Sequence, residues 1–265
     1  GNIELYLSKW RSLGVEVYYA PTPDFHPVDL LELHMISRWI DNLLKHNGRV
    51  LIHCMGGVGR SGLVASSYLL YRGWDPVEAS QYIRELRPGA LDNYGQARVF
   101  NDYCILLDTV DHDVLDKHLD YITGYVDKPM WRHLSKTLQL VIELYDHLGI
   151  RDLDLENTCY ATLYHCFLDE LDKLYREKIL SSKVYEISRK DGLEKLLIMI
   201  GHTLDYMRDS RLVITDFEEY GDRSILILYC DYDCKPLIDR SRDYFEELSR
   251  TIGVTIDVIE QPYAF

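Results

Sequence analysis

Cys54 and Arg60 stand on either side of Met55-Gly56-Gly57-Val58-Gly59, and that spacing suits the grip of a phosphate group by a nucleophilic sulfur. Three glycines among five residues let the backbone curl until successive N–H groups converge on one point, a conformation that residues with a β-carbon reach poorly. Such a loop is an anion nest. Arg60 can present two parallel N–H donors to two phosphate oxygens, a fork that a lysine point charge cannot copy. A free thiol ionises at a pKa of about 8.5, and a positive field at a helix N-terminus lowers it to roughly 3.5–7.5, so Cys54 is expected to be a thiolate near neutrality. Ser61 can donate to the sulfur when it leaves, and His53 is expected to brace the loop by hydrogen bonding.

The elements that must position these groups are short. Val50-Leu51-Ile52 before His53 reads as an apolar strand delivering the cysteine, and an apolar helix over 60–71 points its positive end at the anion. Met55, Gly56, Gly57, Val58, Gly59 and Arg60 would therefore surround the bound phosphate.

The stretch His53-Cys54-x-x-Gly-x-x-Arg60-Ser61-Gly62 resembles the signature of the protein tyrosine phosphatase superfamily, most closely its compact dual-specificity branch. Upstream, Gly14-Val15-Glu16-Val17-Tyr18-Tyr19-Ala20-Pro21-Thr22-Pro23-Asp24 is similar to that family's strand into the general-acid loop, with the aspartate thirty residues ahead of the cysteine. Downstream, Leu86-Arg87-Pro88-Gly89-Ala90 followed by Gln96 looks like the segment that presents a glutamine to the hydrolytic water. The resemblance covers residues 3–108. It implies a central mixed sheet flanked by helices, an α/β fold, and catalysis through a phosphocysteine intermediate. Cys54 would be the nucleophile, Arg60 the phosphate clamp, Asp24 the general acid, and Gln96 the group that holds water. It implies no cofactor and no metal; a soft cation on Cys54 would block the site.

Two of these assignments have plainer rivals. Asp24 lies in a Pro-rich turn where aspartate is common for local capping. Asp29 competes for the acid role, but Asp29-Leu30-Leu31-Glu32 has capping-box form ahead of an apolar helical run, which makes it a helix cap. Gln96, on a helix starting near position 92 or 93, would by pattern alone sit on a solvated face. The chain opens at Gly1, whereas family members usually carry a few tens of residues before the strand corresponding to positions 2–7.

Beyond position 108 the resemblance ends, and a second, α+β domain over 109–265 is expected, with a regulatory or interaction role. Asp111-His112-Asp113-Val114-Leu115-Asp116-Lys117-His118 matches no ligand spacing and reads as a linker or solvated helix face. Trp131, Leu134, Leu138, Val141, Tyr145 and Leu148 mark an amphipathic helix ended by Gly149, with further helices over 154–178 and 190–207. Strands are expected at 212–215 and 224–229 around the Tyr220-Gly221-Asp222-Arg223 turn, then a helix over 235–251 and a strand over 254–259. His133, His147 and His165 look scattered, and Cys230 and Cys234 look structural.

At 265 residues the chain has room for two domains. Its six cysteines, Cys54, Cys104, Cys159, Cys166, Cys230 and Cys234, form no regular framework, and a required free thiolate suits a reducing cytoplasm. No apolar run is long enough to span a bilayer. With 29 basic against 43 acidic residues, net −14, nucleic acid and anionic membrane are poor partners. A phosphorylated protein is the expected substrate, and the C-terminal half could bind a partner or a second copy. The alternatives are a silent phosphoprotein-binding module, or a phosphatase for an RNA end or a lipid.

Overall fold

The computed structural model describes residues 2–209, 211–221 and 223–263. Helices α1 (Ile3–Ser12), α2 (Leu30–Lys45), α3 (Gly59–Tyr71), α4 (Pro76–Leu86) and α5 (Tyr94–Thr109) form the N-terminal part. They are followed by α6 (His112–Thr123), α7 (Lys128–His147), α8 (Leu155–Tyr164), a 3-10 turn, α9 (Leu171–Arg176), α10 (Ser182–Arg189) and α11 (Leu193–Leu204). The chain then forms β1 (Leu212–Tyr220), β2 (Arg223–Cys230), α12 (Lys235–Ile252) and β3 (Thr255–Pro262). The fold is mixed α/β.

Capping side chains set most of the helix starts. Asn2, Asp75, Asn93, Asp111, Asp127, Asp154 and Ser181 each accept a backbone N–H from the first turn that follows, and Pro76 and Pro129 occupy first-turn positions where no donor is needed. Helix α2 departs from the expected capping box. Asp29 makes no side-chain cap; its carboxylate lies 3.8 Å from Arg132 Nε, while the Leu31 N–H donates to Ser135 Oγ of α7 at 3.0 Å. The end of α2 is thus closed by a helix a hundred residues later in the chain.

The sheet is mixed, in the order β1-β2-β3. β1 and β2 pair antiparallel with Tyr220 opposite Arg223, and a register irregularity lies between Leu212 and Ile214. β2 and β3 pair parallel, Arg223 opposite Thr255, through the α12 crossover. The expected turn falls partly on Asp222, outside the described residues.

Several local expectations are corrected. Residues 3–12 are helical, capped by Asn2, in place of the strand expected over 2–7. Among the described residues, 15–24 and 49–54 run as non-helical connections without a ladder partner. The polar stretch after Asp111 is helix α6, with His118 buried and its Nδ1 2.8 Å from the Tyr164 hydroxyl. The helix expected over 154–178 is broken into α8 and α9, and α10 was not anticipated.

One buried apolar cluster runs from Val28 on α2's approach to Ile256 on β3, so both halves of the sequence share it. Among the described residues, no helix is long and apolar enough to cross a membrane.

Candidate active site

The loop after Cys54 is held from outside. Arg87, which closes the C-terminal end of α4, donates Nη2 to the Gly56 carbonyl at 2.8 Å and Nε to the Gly57 carbonyl at 3.2 Å. With those carbonyls tied back, the amides turn the other way. Gly57 sits at φ +66°, the left-handed region that glycine enters without strain. Gly59 opens α3 and leaves room for Gln96: a β-carbon there would stand 2.7 Å from Gln96 Oε1.

Cys54 is half-buried at the centre of this cradle. Burial works against ionisation of its thiol. Hydrogen bonding to the Ser61 hydroxyl and to the Ser61, Gly57 and Val58 amides outweighs it and brings the pKa down to about 7. The Ser61 hydroxyl is buried and has no other hydrogen-bond partner among the described residues, which leaves its proton to the sulfur. By contrast burial, reinforced by Asp108, pushes Cys104 up to about 11.

Arg60 is already engaged. Its Nη2 donates to Asp24 Oδ1 at 2.7 Å and its Nη1 to the Thr22 carbonyl at 2.6 Å. The carboxylate of Asp24 is 65% exposed and the guanidinium 18%. The predicted acid and the predicted clamp are therefore neighbours, paired with each other. Asp29 points instead toward Arg132.

The acid loop is fastened by residues from the far end of the chain. His26 Nδ1 lies 2.9 Å from the Asp24 carbonyl and its Nε2 2.8 Å from Asp231 Oδ2, just past β2. Tyr263, after β3, donates its hydroxyl to the Phe25 carbonyl and to Asn93 Oδ1, each at 3.2 Å. Asn93 in turn caps α5, the helix that carries Gln96.

Gln96 is buried rather than on a solvated face, and its Oε1 lacks a hydrogen-bond partner among the described residues. His53 is exposed, its Nε2 3.5 Å from the Tyr6 hydroxyl of α1, so the brace expected of it is supplied by Arg87. Met55 is 89% exposed at the rim of the cradle. A cavity of about 1280 Å³ opens beside Cys54, Arg60 and Ser61, walled by Tyr6, Trp10 and Leu51.

Sequence reasoning missed Arg87, Asp231 and Tyr263 as parts of this site. Arg87 carried a faint signal, since it lies in a segment already singled out. Asp231 and Tyr263 carried none, standing 205 and 238 residues from the loop atoms they touch. His133 and His165, scattered in sequence, come together in the fold, whereas His147 simply packs, stacked on Phe217 with ring centroids 3.8 Å apart. Cys230 and Cys234 are joined in a disulfide.

Residues 19–104 match the family model described as dual specificity phosphatase, catalytic domain. Cyclin-dependent kinase inhibitor 3 of Rattus norvegicus is 33% identical over 118 residues, 44% of this chain and 52% of that protein. Protein-tyrosine-phosphatase IBR5 of Arabidopsis thaliana is 35% identical over 74 residues, 26% of this chain and 29% of that one. The chain thus spans about half or less of the curated relatives it matches. A solved structure, Tk-PTP in the active form, is 41% identical, covering 37% of this chain and 67% of that chain, with a TM-score of 0.36.

Proposed function

Residues 19–104 belong to the dual specificity phosphatase catalytic-domain family, and from that premise we propose that this chain hydrolyses phosphomonoesters of proteins, phosphotyrosine first and phosphoserine or phosphothreonine as well. The observation that carries the reading is the Cys54 thiol, lowered to about 7 by converging donors beside Arg60 and Asp24.

In the first step the incoming phosphate takes the Arg60 fork from Asp24. The Cys54 sulfur attacks phosphorus in line, a P–S bond forms, and the ester P–O bond breaks as Asp24 gives its proton to the departing oxygen. In the second step Asp24, now a carboxylate, takes a proton from a water held by Gln96. The water oxygen bonds to phosphorus, the P–S bond breaks, and Ser61 steadies the returning thiolate. Loop amides and Arg60 supply charge stabilisation fixed in advance, the largest contribution in reactions of this kind. Residues 1–108 would form the phosphatase domain and 109–265 a regulatory or interaction domain. A reducing cytoplasm would keep Cys54 free.

The test is turnover on phosphotyrosine, phosphoserine and phosphothreonine peptides, with a phosphoinositide and a triphosphorylated RNA alongside. Phosphotyrosine turnover that Cys54→Ser abolishes, with peptide binding retained, is the expected result. Stoichiometric peptide binding by the intact chain without turnover of any ester would make it a binding module. Turnover confined to the RNA or the lipid would reassign the substrate. Iodoacetate should modify Cys54 with a pH midpoint of about 7, leave Cys104 untouched, and be slowed by phosphate. Equal rates at the two cysteines would remove the activated nucleophile.

A further inference from the structure

Three histidines and a cysteine outside the phosphate cradle take no part in the chemistry above. α7 carries His133, the C-terminal cap of α8 is His165 with Cys166 directly after it, and α11 carries His202. Gly201 lets α11 approach α7, since a β-carbon there would stand 3.0 Å from the Thr137 carbonyl. The result is a triangle of ring nitrogens: His133 Nε2 is 3.1 Å from His165 Nε2 and 3.0 Å from His202 Nδ1, and His165 Nε2 is 3.0 Å from His202 Nδ1. Cys166 Sγ lies 3.2 Å from His165 Nε2, and all four atoms fall within 4.8 Å of one another.

The outward nitrogens settle what faces inward. His133 Nδ1 lies 2.8 Å from the Asp205 carboxylate and His165 Nδ1 lies 2.6 Å from the Thr162 carbonyl. Both oxygens only accept, so each Nδ1 carries the hydrogen and each Nε2 presents a bare lone pair. Two lone pairs 3.1 Å apart repel, and a single N–H on His202 cannot point at both. A tetrahedral zinc ion, about 2.0–2.1 Å from each nitrogen, would hold the three nitrogens about 3.3–3.4 Å apart, a few tenths of an ångström beyond the spacing here.

We propose that His133, His165, Cys166 and His202 bind one zinc ion, which ties α7, the end of α8 and α11 together. Three imidazoles and one thiolate complete a four-coordinate set of the structural kind and offer no oxygen ligand to calcium or magnesium. Asp205 and the Thr162 carbonyl then serve as the outer groups that fix ring tautomer and direction. On binding, Cys166 forms a sulfur–metal bond and releases its proton to solvent. Arg208 Nη2, 3.9 Å from the sulfur, compensates the thiolate charge. The other sulfur-bearing cluster, Cys230, Cys234 and Glu260, has both sulfurs committed to the disulfide and offers no thiolate.

The test uses the full chain carrying Cys54→Ser, so that the catalytic thiolate does not compete, stripped with a chelator under mild reduction that is then removed. Zinc titrated against a chromophoric chelator should bind at about one per chain and raise the unfolding temperature. Cobalt(II) should give the intense visible bands of a tetrahedral site together with a near-ultraviolet sulfur-to-metal band. Cys166→Ser should lose the sulfur band, His202→Ala should weaken binding at least tenfold, and Asp205→Asn should weaken it by about 10–100-fold. Cys166 and His202 are only half-buried, and circular dichroism checks that their variants fold. Negligible zinc on the stripped chain, a weak octahedral cobalt spectrum, or tetrahedral bands untouched in folded Cys166→Ser and His202→Ala would each overturn the site.

Discussion

Arg60 cannot hold a phosphate and the Asp24 carboxylate with the same Nη2, so the two compete before the first turnover begins. Because the carboxylate is mostly exposed, the pair is worth roughly 0.2–1 kcal/mol, and Asp24→Asn is expected to tighten inorganic phosphate binding by about 1.5- to 5-fold. The same substitution removes the proposed proton donor. Its cost should follow the leaving group: small with p-nitrophenyl phosphate, and about 10²–10⁴-fold with phosphotyrosine, with loss of the basic limb of the pH–rate profile. Steady-state kinetics with the two esters check this; an equal fall on both would make Asp24 a positioning residue. Asp29→Asn should leave both behaviours alone. At this scale the sequence was readable, because Cys54, the glycines and Arg60 form one local loop. Asp24, Gln96 and Ser61 lie beside it in the fold, whereas the support from Asp231 and Tyr263 depends on packing that no local pattern encodes.

Helix α4 acts on the cradle through one side chain. Arg87 is exposed and contributes little to packing, but its guanidinium fastens two carbonyls whose neighbouring amides face Cys54. Hydrogen bonds to a charged group contribute about 1.5–3 kcal/mol when well shielded and less in water, so Arg87→Ala should lower kcat/KM by about 10-fold. The sharper readout is the thiol itself. A loop released from Arg87 aims its amides less well, so the pH midpoint of Cys54 alkylation should rise above about 7 while the unfolding temperature stays put. An unmoved midpoint would mean that the loop holds its own shape. Elements with a long apolar period, α2, α3, α7 and α12, were legible from their spacing. The two missing strands share a cause: a strand needs a partner, and neither Val50-Leu51-Ile52 nor the stretch from Gly14 names one locally. The β1–β2 pairing was legible because its partner follows within a few residues.

The two halves of the molecule meet through a buried polar seam. Gln139 of α7 donates to Asp102 of α5 and to Glu143, each at 3.0 Å, Arg98 Nε lies 3.7 Å from both carboxylates, and Thr215 of β1 donates to Glu143. Burial first, and then the charge of Glu143, holds the Asp102 carboxyl above its ordinary value. A raised pKa in the fold means that stabilisation is complete below the unfolded value of about 3.9 and is lost as pH rises through the folded one. Asp102→Asn keeps an acceptor for Gln139 and escapes that loss, so its advantage in unfolding temperature over the parent should widen from pH 5 to pH 8; a narrowing gap would reverse the assignment.

The seam also bears on whether the proposed catalytic residues can stand alone. All the groups assigned to chemistry precede Asp108, yet the Leu31 N–H is capped by Ser135, Asp102 accepts from Gln139, and the acid loop is fastened by Asp231 and Tyr263. Cutting the chain after Asp108 removes every one of these partners. It also uncovers the apolar surface through which α2 and α5 join the shared core. Several lost hydrogen bonds at about 0.5–1.5 kcal/mol each, together with the uncovered apolar surface, are a large part of the 5–15 kcal/mol that holds a typical domain folded. Residues 1–108 alone are therefore expected to keep helical far-ultraviolet dichroism, lose the near-ultraviolet signal of packed aromatics, melt without a sharp transition, and turn over p-nitrophenyl phosphate poorly. Supplying residues 109–265 as a separate chain should restore the transition and the activity together. A sharp melt and full turnover by 1–108 alone would mean that the seam joins two independently stable units, and that the C-terminal half acts on the catalytic loop only as a regulator.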